Sequence, residues 1–136
     1  MALLEIDTAA RGFAPEPITD GEAAAMFRAA VNLFRHWRLT DEQAATLLDM
    51  PPRSYGRWKA GQIGRISRDG KARLSNLMGI HKALRIIFRE PQRGYDWIHA
   101  ANTVFAGRSA LQVMLGGELT DLMRVRRYLD DERGGW

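Results

Sequence analysis

A chain of 136 residues, 46% of them hydrophobic, is long enough for one compact unit or two very small ones that share a core. It has no run of about 18 apolar residues that would span a membrane, and its opening, MALLEIDTAARGFAPEP, lacks the charged start and apolar block of a secretory signal. Net charge is +4 and cysteine is absent, which excludes disulfides, thiolate nucleophiles and Cys-rich zinc sites and fits a reducing cytoplasm.

Residues 1–18 hold Gly12, Pro15 and Pro17 and no sustained period; they read as a flexible N-terminal arm. Thr19-Asp20-Gly21-Glu22 spells a capping box, in which the hydroxyl and the carboxylate each accept from the other residue's N–H. Ala23, Met26, Phe27, Ala30, Val31, Phe34 and Trp37 follow at intervals of three and four, one apolar helical stripe. Thr40 opens a second helix, with Gln43 at the box position and Ala44, Ala45, Leu47 and Leu48 as its apolar side. Asp49 is its expected exit, because Asp tolerates left-handed backbone.

Pro51 and Pro52 cannot lie inside a helix, but a first turn accepts them, since its N–H groups have no helical partner. The prolines therefore space two helices, and the second runs from Pro52 to Lys59, stopping near Gly61. After the loop QIGR, Ser67 or Asp69 caps a longer helix bearing Leu74, Leu77, Met78, His81, Leu84 and Phe88 at helical spacing. Pro91 and Gly94 punctuate it. A short segment around Trp97, an irregular NTVFAGRS, a Ser109-capped helix through Leu115 and a last helix from Glu118 to Leu129 complete the pattern. No alternating strand pattern occurs, so the fold class is all-α.

The charge is concentrated. Residues 1–22 carry five acids against Arg11 alone, whereas residues 53–73 carry seven basic residues against Asp69 alone. Such charge beside a helix-turn-helix pattern points to phosphate. Arg53 and Arg57 lie on one face of the short helix with Ser54 adjacent, and a guanidinium can pair two acceptors of guanine in the major groove. Lys59, Arg65, Arg68 and Lys71 suit phosphates, which position without specifying. His36, His81 and His99 sit on different predicted helices without metal spacing. No carboxylate pair stands in an evident pocket, and no glycine loop carries the Lys-Ser/Thr of a P-loop. No catalytic residue, metal or cofactor is expected.

The stretch LTDEQAATLLDMPPRSYGRWKAG (39–61) resembles the helix-turn-helix of Xre-class bacterial and phage regulators: Ala45 is the small residue of the first helix, Met50 leads the turn, and Tyr55 and Trp58 anchor the second helix. It departs from that pattern at Asp49, where Gly is usual, and at Asp41, where a phosphate-contacting Gln is common. Residues 95–129 resemble the toxin-binding domain of the MbcA/ParS/Xre antitoxins, with Trp97, Asn102, Phe105, Gly107, Leu111 and Gly117 matching; Ala101 and Ala110 replace frequent prolines.

The resemblance implies a helix-turn-helix bundle over 19–90, a helical toxin-binding and dimerisation domain over 91–129 and a tail over 130–136. It further implies a type II antitoxin that blocks a RES-domain, NAD⁺-depleting toxin and represses its own operon on operator DNA. A stand-alone regulator whose C-terminal half only oligomerises is the alternative. Leu119, Leu122 and Met123 are the expected homodimer contacts. Trp136, freed by Gly134 and Gly135, is an expected anchor in the toxin, with Asp130, Asp131 and Glu132 meeting the toxin's basic groups.

Overall fold

A computed structural model describes residues 17–134; most of the N-terminal arm, together with Gly135 and Trp136, lies outside the described residues. The elements are α1 (Asp20–His36), α2 (Asp41–Leu47), α3 (Pro52–Lys59), α4 (Arg68–Ile87), α5 (Pro91–His99), a 3₁₀ turn (Thr103–Phe105), α6 (Ala110–Met114) and α7 (Leu119–Glu132). Among the described residues the only bridge pairing is the isolated one between Ala101 and Ser109. The fold is all-α, as the periodicity requires.

Local chemistry starts the helices. The Thr19/Glu22, Thr40/Gln43 and Ser109/Gln112 boxes are all formed, with distances of 2.8–3.1 Å. Ser67 rather than Asp69 caps α4, its Oγ accepting from the Gly70 N–H at 3.0 Å. Asp49 adopts a φ of 51° and ends α2 as its side chain allows. Pro52 occupies the first turn of α3.

Two boundaries differ from the sequence reading. Pro91 opens α5 at its first turn instead of punctuating the chain, and Gly94 is buried inside that helix, where a Cβ would stand 3.4 Å from Leu84. α7 continues past Leu129 to Glu132, and Asp130 there lies between Arg126 of the same helix (3.6 Å) and Arg133 at its C-terminal cap (3.4 Å). Asp130 is thus engaged internally, and the segment begun there is helix before it is tail.

α4 is the spine. It packs against both α1 and α7, and Leu74, Leu77, Ile80 and Leu84 on it are buried. α7 approaches it closely: the Arg126 guanidinium lies over Gly79, where a Cβ would sit 2.5 Å away, and donates to the Ser75 carbonyl at 3.4 Å. Phe27, Phe34, Trp37, Leu47, Tyr55, Leu77, Ile98, Phe105, Met114 and Leu122 are almost completely enclosed in one core that runs through both halves. Burial pushes the Tyr55 phenol up to about 12, so this ring stays neutral within the core.

Arg73 is the exception within the basic window. It is 4% exposed, its Nε meets Asp69 at 2.7 Å and its Nη1 donates to the Leu47 carbonyl at 3.2 Å. This arginine joins α4 to the end of α2. Arg73→Met should lower unfolding free energy by about 1.5–3 kcal/mol, the worth of a hydrogen bond to a charged group. A urea melt checks it: the midpoint should fall with the slope unchanged, and an unmoved midpoint would refute the tie.

Candidate nucleic-acid and toxin-binding surfaces

The helix-turn-helix is built from α2 and α3, joined by the left-handed Asp49 and the two prolines. α3 is short and has only one fully buried side chain, Tyr55. Aromatic packing holds it in place. Phe27 of α1 meets Tyr55 edge-on (5.9 Å, 64°) and Trp58 edge-on (5.5 Å, 74°). Trp58 in turn lies on Gly64, where a Cβ would come within 3.1 Å of the indole, so a larger residue there would have to push the ring aside. Tyr55 and Trp58 are therefore anchors, as their place in the pattern implies.

The opposite side of α3 presents Arg53 and Arg57 to solvent, with Ser54 half-buried between them. Arg57 Nη2 lies 3.4 Å from Ser54 Oγ. Neither arginine has an acidic partner among the described residues. Arg65 and Arg68 are likewise exposed and unpaired there, and line a groove with Ser67 and Lys71 at the start of α4. The remaining lysines are committed: Lys59 pairs with Asp41 at 2.9 Å and Lys71 with Asp20 at 3.1 Å. The seven basic residues of the window thus divide into four open arginines, two lysines paired within the chain and the buried Arg73.

In the C-terminal half, Asn102 organises the loop from 101 to 109. Its Oδ1 accepts from the Val104 N–H at 3.0 Å, and its carbonyl accepts from Phe105 (3.1 Å) and Gly107 (2.9 Å). That turn delivers Phe105 to an aromatic cluster. Trp97 stacks on Tyr128 of α7 (6.1 Å, 3°), Phe105 meets both edge-on, and Arg124 covers Phe105 at 5.4 Å.

The structure gathers Trp97, Asn102 and Phe105 in one place, and separates the remaining candidates. Phe105, Leu111 and Leu122 are 1%, 6% and 0% exposed. They belong to the core, so none of the three offers a contact surface as the chain stands; this corrects the expectation that Leu122 contributes to a dimer face. Leu119, Met123 and Trp97 are half-buried and reach the surface. Trp136 lies outside the described residues. Val104, 46% exposed beside the aromatic cluster, escaped the sequence reading, since an isolated valine in an irregular segment carries no periodic signal.

The fold thus joins a helix-turn-helix, with an exposed pair of arginines on its second helix, to a further group of helices through one spine. The antitoxin Xre-like helix-turn-helix domain matches residues 16–79, and the antitoxin Xre/MbcA/ParS C-terminal toxin-binding domain matches residues 83–135. The chain belongs to the Xre/MbcA/ParS antitoxin family, and is an antitoxin of a toxin–antitoxin system rather than an enzyme. It is 44% identical over 115 residues to the uncharacterized protein y4oB of Sinorhizobium fredii (strain NBRC 101917 / NGR234), covering 84% of this chain and 85% of that one. A chain in the crystal structure of the M. tuberculosis MbcT–MbcA toxin–antitoxin complex is 26% identical, with a TM-score of 0.56 over 82% of this chain and 94% of that chain. No helix of the described residues is long and apolar enough to cross a membrane.

Proposed function

We propose that this antitoxin neutralises a RES-domain toxin, one that depletes NAD⁺, by covering the entry to the toxin's substrate site, and that its helix-turn-helix binds the operator of its own operon. The toxin-binding match over residues 83–135 carries the reading. The likeness to a chain of the MbcT–MbcA complex extends over both halves and supports it. The surface around Trp97, Val104, Leu119 and Met123 is the toxin and self-association face. Arg53, Arg57, Arg65 and Arg68 contact DNA, the first two at base edges and the others at phosphates. Because one helix-turn-helix buries few contacts, the DNA-bound form is a homodimer whose half-sites lie about 34 Å apart. Inhibition is steric and needs no catalytic residue.

Co-expression with the neighbouring gene tests this reading. A RES-type product should arrest growth and drain cellular NAD⁺ when expressed alone; with this chain it should co-purify while growth and NAD⁺ recover. A neighbouring toxin that stays active and unbound in the presence of this chain would overturn the assignment.

A further inference from the structure

Away from α3, the cleft between α1, α4 and α5 gathers one arginine and two histidines. It encloses about 270 Å³ and is lined by Asn32, His36, His81, Arg85 and Tyr95 together with apolar side chains. No acidic residue lines it. Asp96, beside Tyr95 on α5, is occupied by Arg38 at 3.8 Å and Gln92 at 2.9 Å. The sequence spreads His36 and His81 over distant segments; the fold brings both to this one cleft.

Two walls contribute nitrogen-bearing side chains: His36 from α1, and His81 and Arg85 from α4. His36 is the last residue of α1, and its ring stacks on Tyr95 (5.1 Å, 13°). Arg85 is exposed on α4 one turn beyond His81. His81 Nδ1 is buried and has no hydrogen-bond partner among the described residues, a costly arrangement for a ring nitrogen. We infer that this cleft binds a phosphate-class dianion, either inorganic phosphate or the phosphoryl group of a small metabolite, held by Arg85 with His81 and His36.

Three nitrogen-bearing side chains, His36 from α1 and His81 and Arg85 from α4, face one cleft, and a guanidinium can grip two oxygens of an oxyanion. The His36–Tyr95 stack forms an aromatic wall beside which an organic group can lie.

The site is linked to pH. Burial, then the charges of Arg85 and His36, lower the His81 pKa below its ordinary 6.5. The ionisable groups that line the cleft with it are His36 of α1, Arg85 of α4 and Tyr95 of α5. With its folded pKa lowered, His81 favours the folded state above the unfolded value of about 6.5, and that contribution is lost as pH falls through the folded value. A bound dianion raises the pKa again, while the second ionisation of a phosphoryl group, at a pKa of about 6, falls in the same range, so the ligand's loss of charge on acidification offsets the gain from the ring.

The experiment follows the imidazole C–H resonances of His36 and His81 in the full chain, assigned with His36→Gln and His81→Gln, during titration with inorganic phosphate at pH 6 and pH 7.5. Chloride at matched ionic strength is the control, and adenosine monophosphate the second arm. Both resonances should shift and saturate with phosphate. Arg85→Gln, an exposed substitution that leaves the core intact, should weaken binding about tenfold or more, and His81→Gln should weaken it as well. Tighter binding of the nucleotide than of phosphate assigns a phosphorylated metabolite; its exclusion assigns the inorganic ion. Equal shifts with chloride, an unaffected Arg85→Gln, or loss of binding in Arg53→Ala/Arg57→Ala instead would overturn the site.

Discussion

Phe27→Ala should lower unfolding free energy by about 3–5 kcal/mol, the range for emptying a buried aromatic site. Against the roughly 5–15 kcal/mol that a whole domain retains, that is a large share. The reason lies in what Phe27 holds. Its ring is 1% exposed and touches Tyr55 and Trp58, the anchors of α3. Its loss therefore loosens the element that presents Arg53 and Arg57, and DNA affinity should drop with stability. Phe27→Leu keeps apolar volume but forfeits two edge-on pairs, each worth about 0.5–1.5 kcal/mol, and should fall between the parent and alanine. Thermal melts read the stability, and a promoter-fragment shift below the melting range reads the coupling. An alanine variant that melts like the parent would show that α3 is held by something else.

The second large effect is on affinity with the fold intact. Arg53→Ala/Arg57→Ala should weaken operator binding by about 2–6 kcal/mol in total, at about 1–3 kcal/mol for each base-reading arginine, and relax base preference. Both side chains are exposed, so stability should stay within about 0.5 kcal/mol of the parent. Substituting Arg65 and Arg68 should instead weaken all sequences alike and flatten the salt dependence. Lys59 and Lys71 should matter less than either pair, since each already neutralises an aspartate in the chain. A double arginine variant that retards its promoter fragment as well as the parent does would exclude direct readout by α3.

Much of this architecture was legible because its signals are local. Capping boxes join residues three apart, the proline pair acts on its own turn, and Asp49 reports its own backbone preference. What escaped depends on contacts between distant segments. Arg73 reads as one more cation until Leu47, 26 positions away, supplies the carbonyl it serves. Leu122 reads as an available apolar face until α4 covers it. Pro91 is ambiguous by nature, since the same ring ends one helix or opens the next. His36 and His81 carry no spacing signal because two different helices bring them together. Ala106, with a φ of 58°, takes a left-handed turn that composition does not announce.

The spine has a consequence for how such chains are recombined. The helix-turn-helix match ends at residue 79 and the toxin-binding match begins at residue 83, so the seam falls inside α4 rather than in a linker. Exchanging one half for a relative's is then a problem of rotational phase. One residue gained at the join turns everything beyond it by about 100°, carrying the α7-facing side of α4 toward solvent. A gain of seven misaligns it by only about 20°. Length changes at this seam are tolerable in near-whole turns, and a chimera of mismatched phase loses both modules at once.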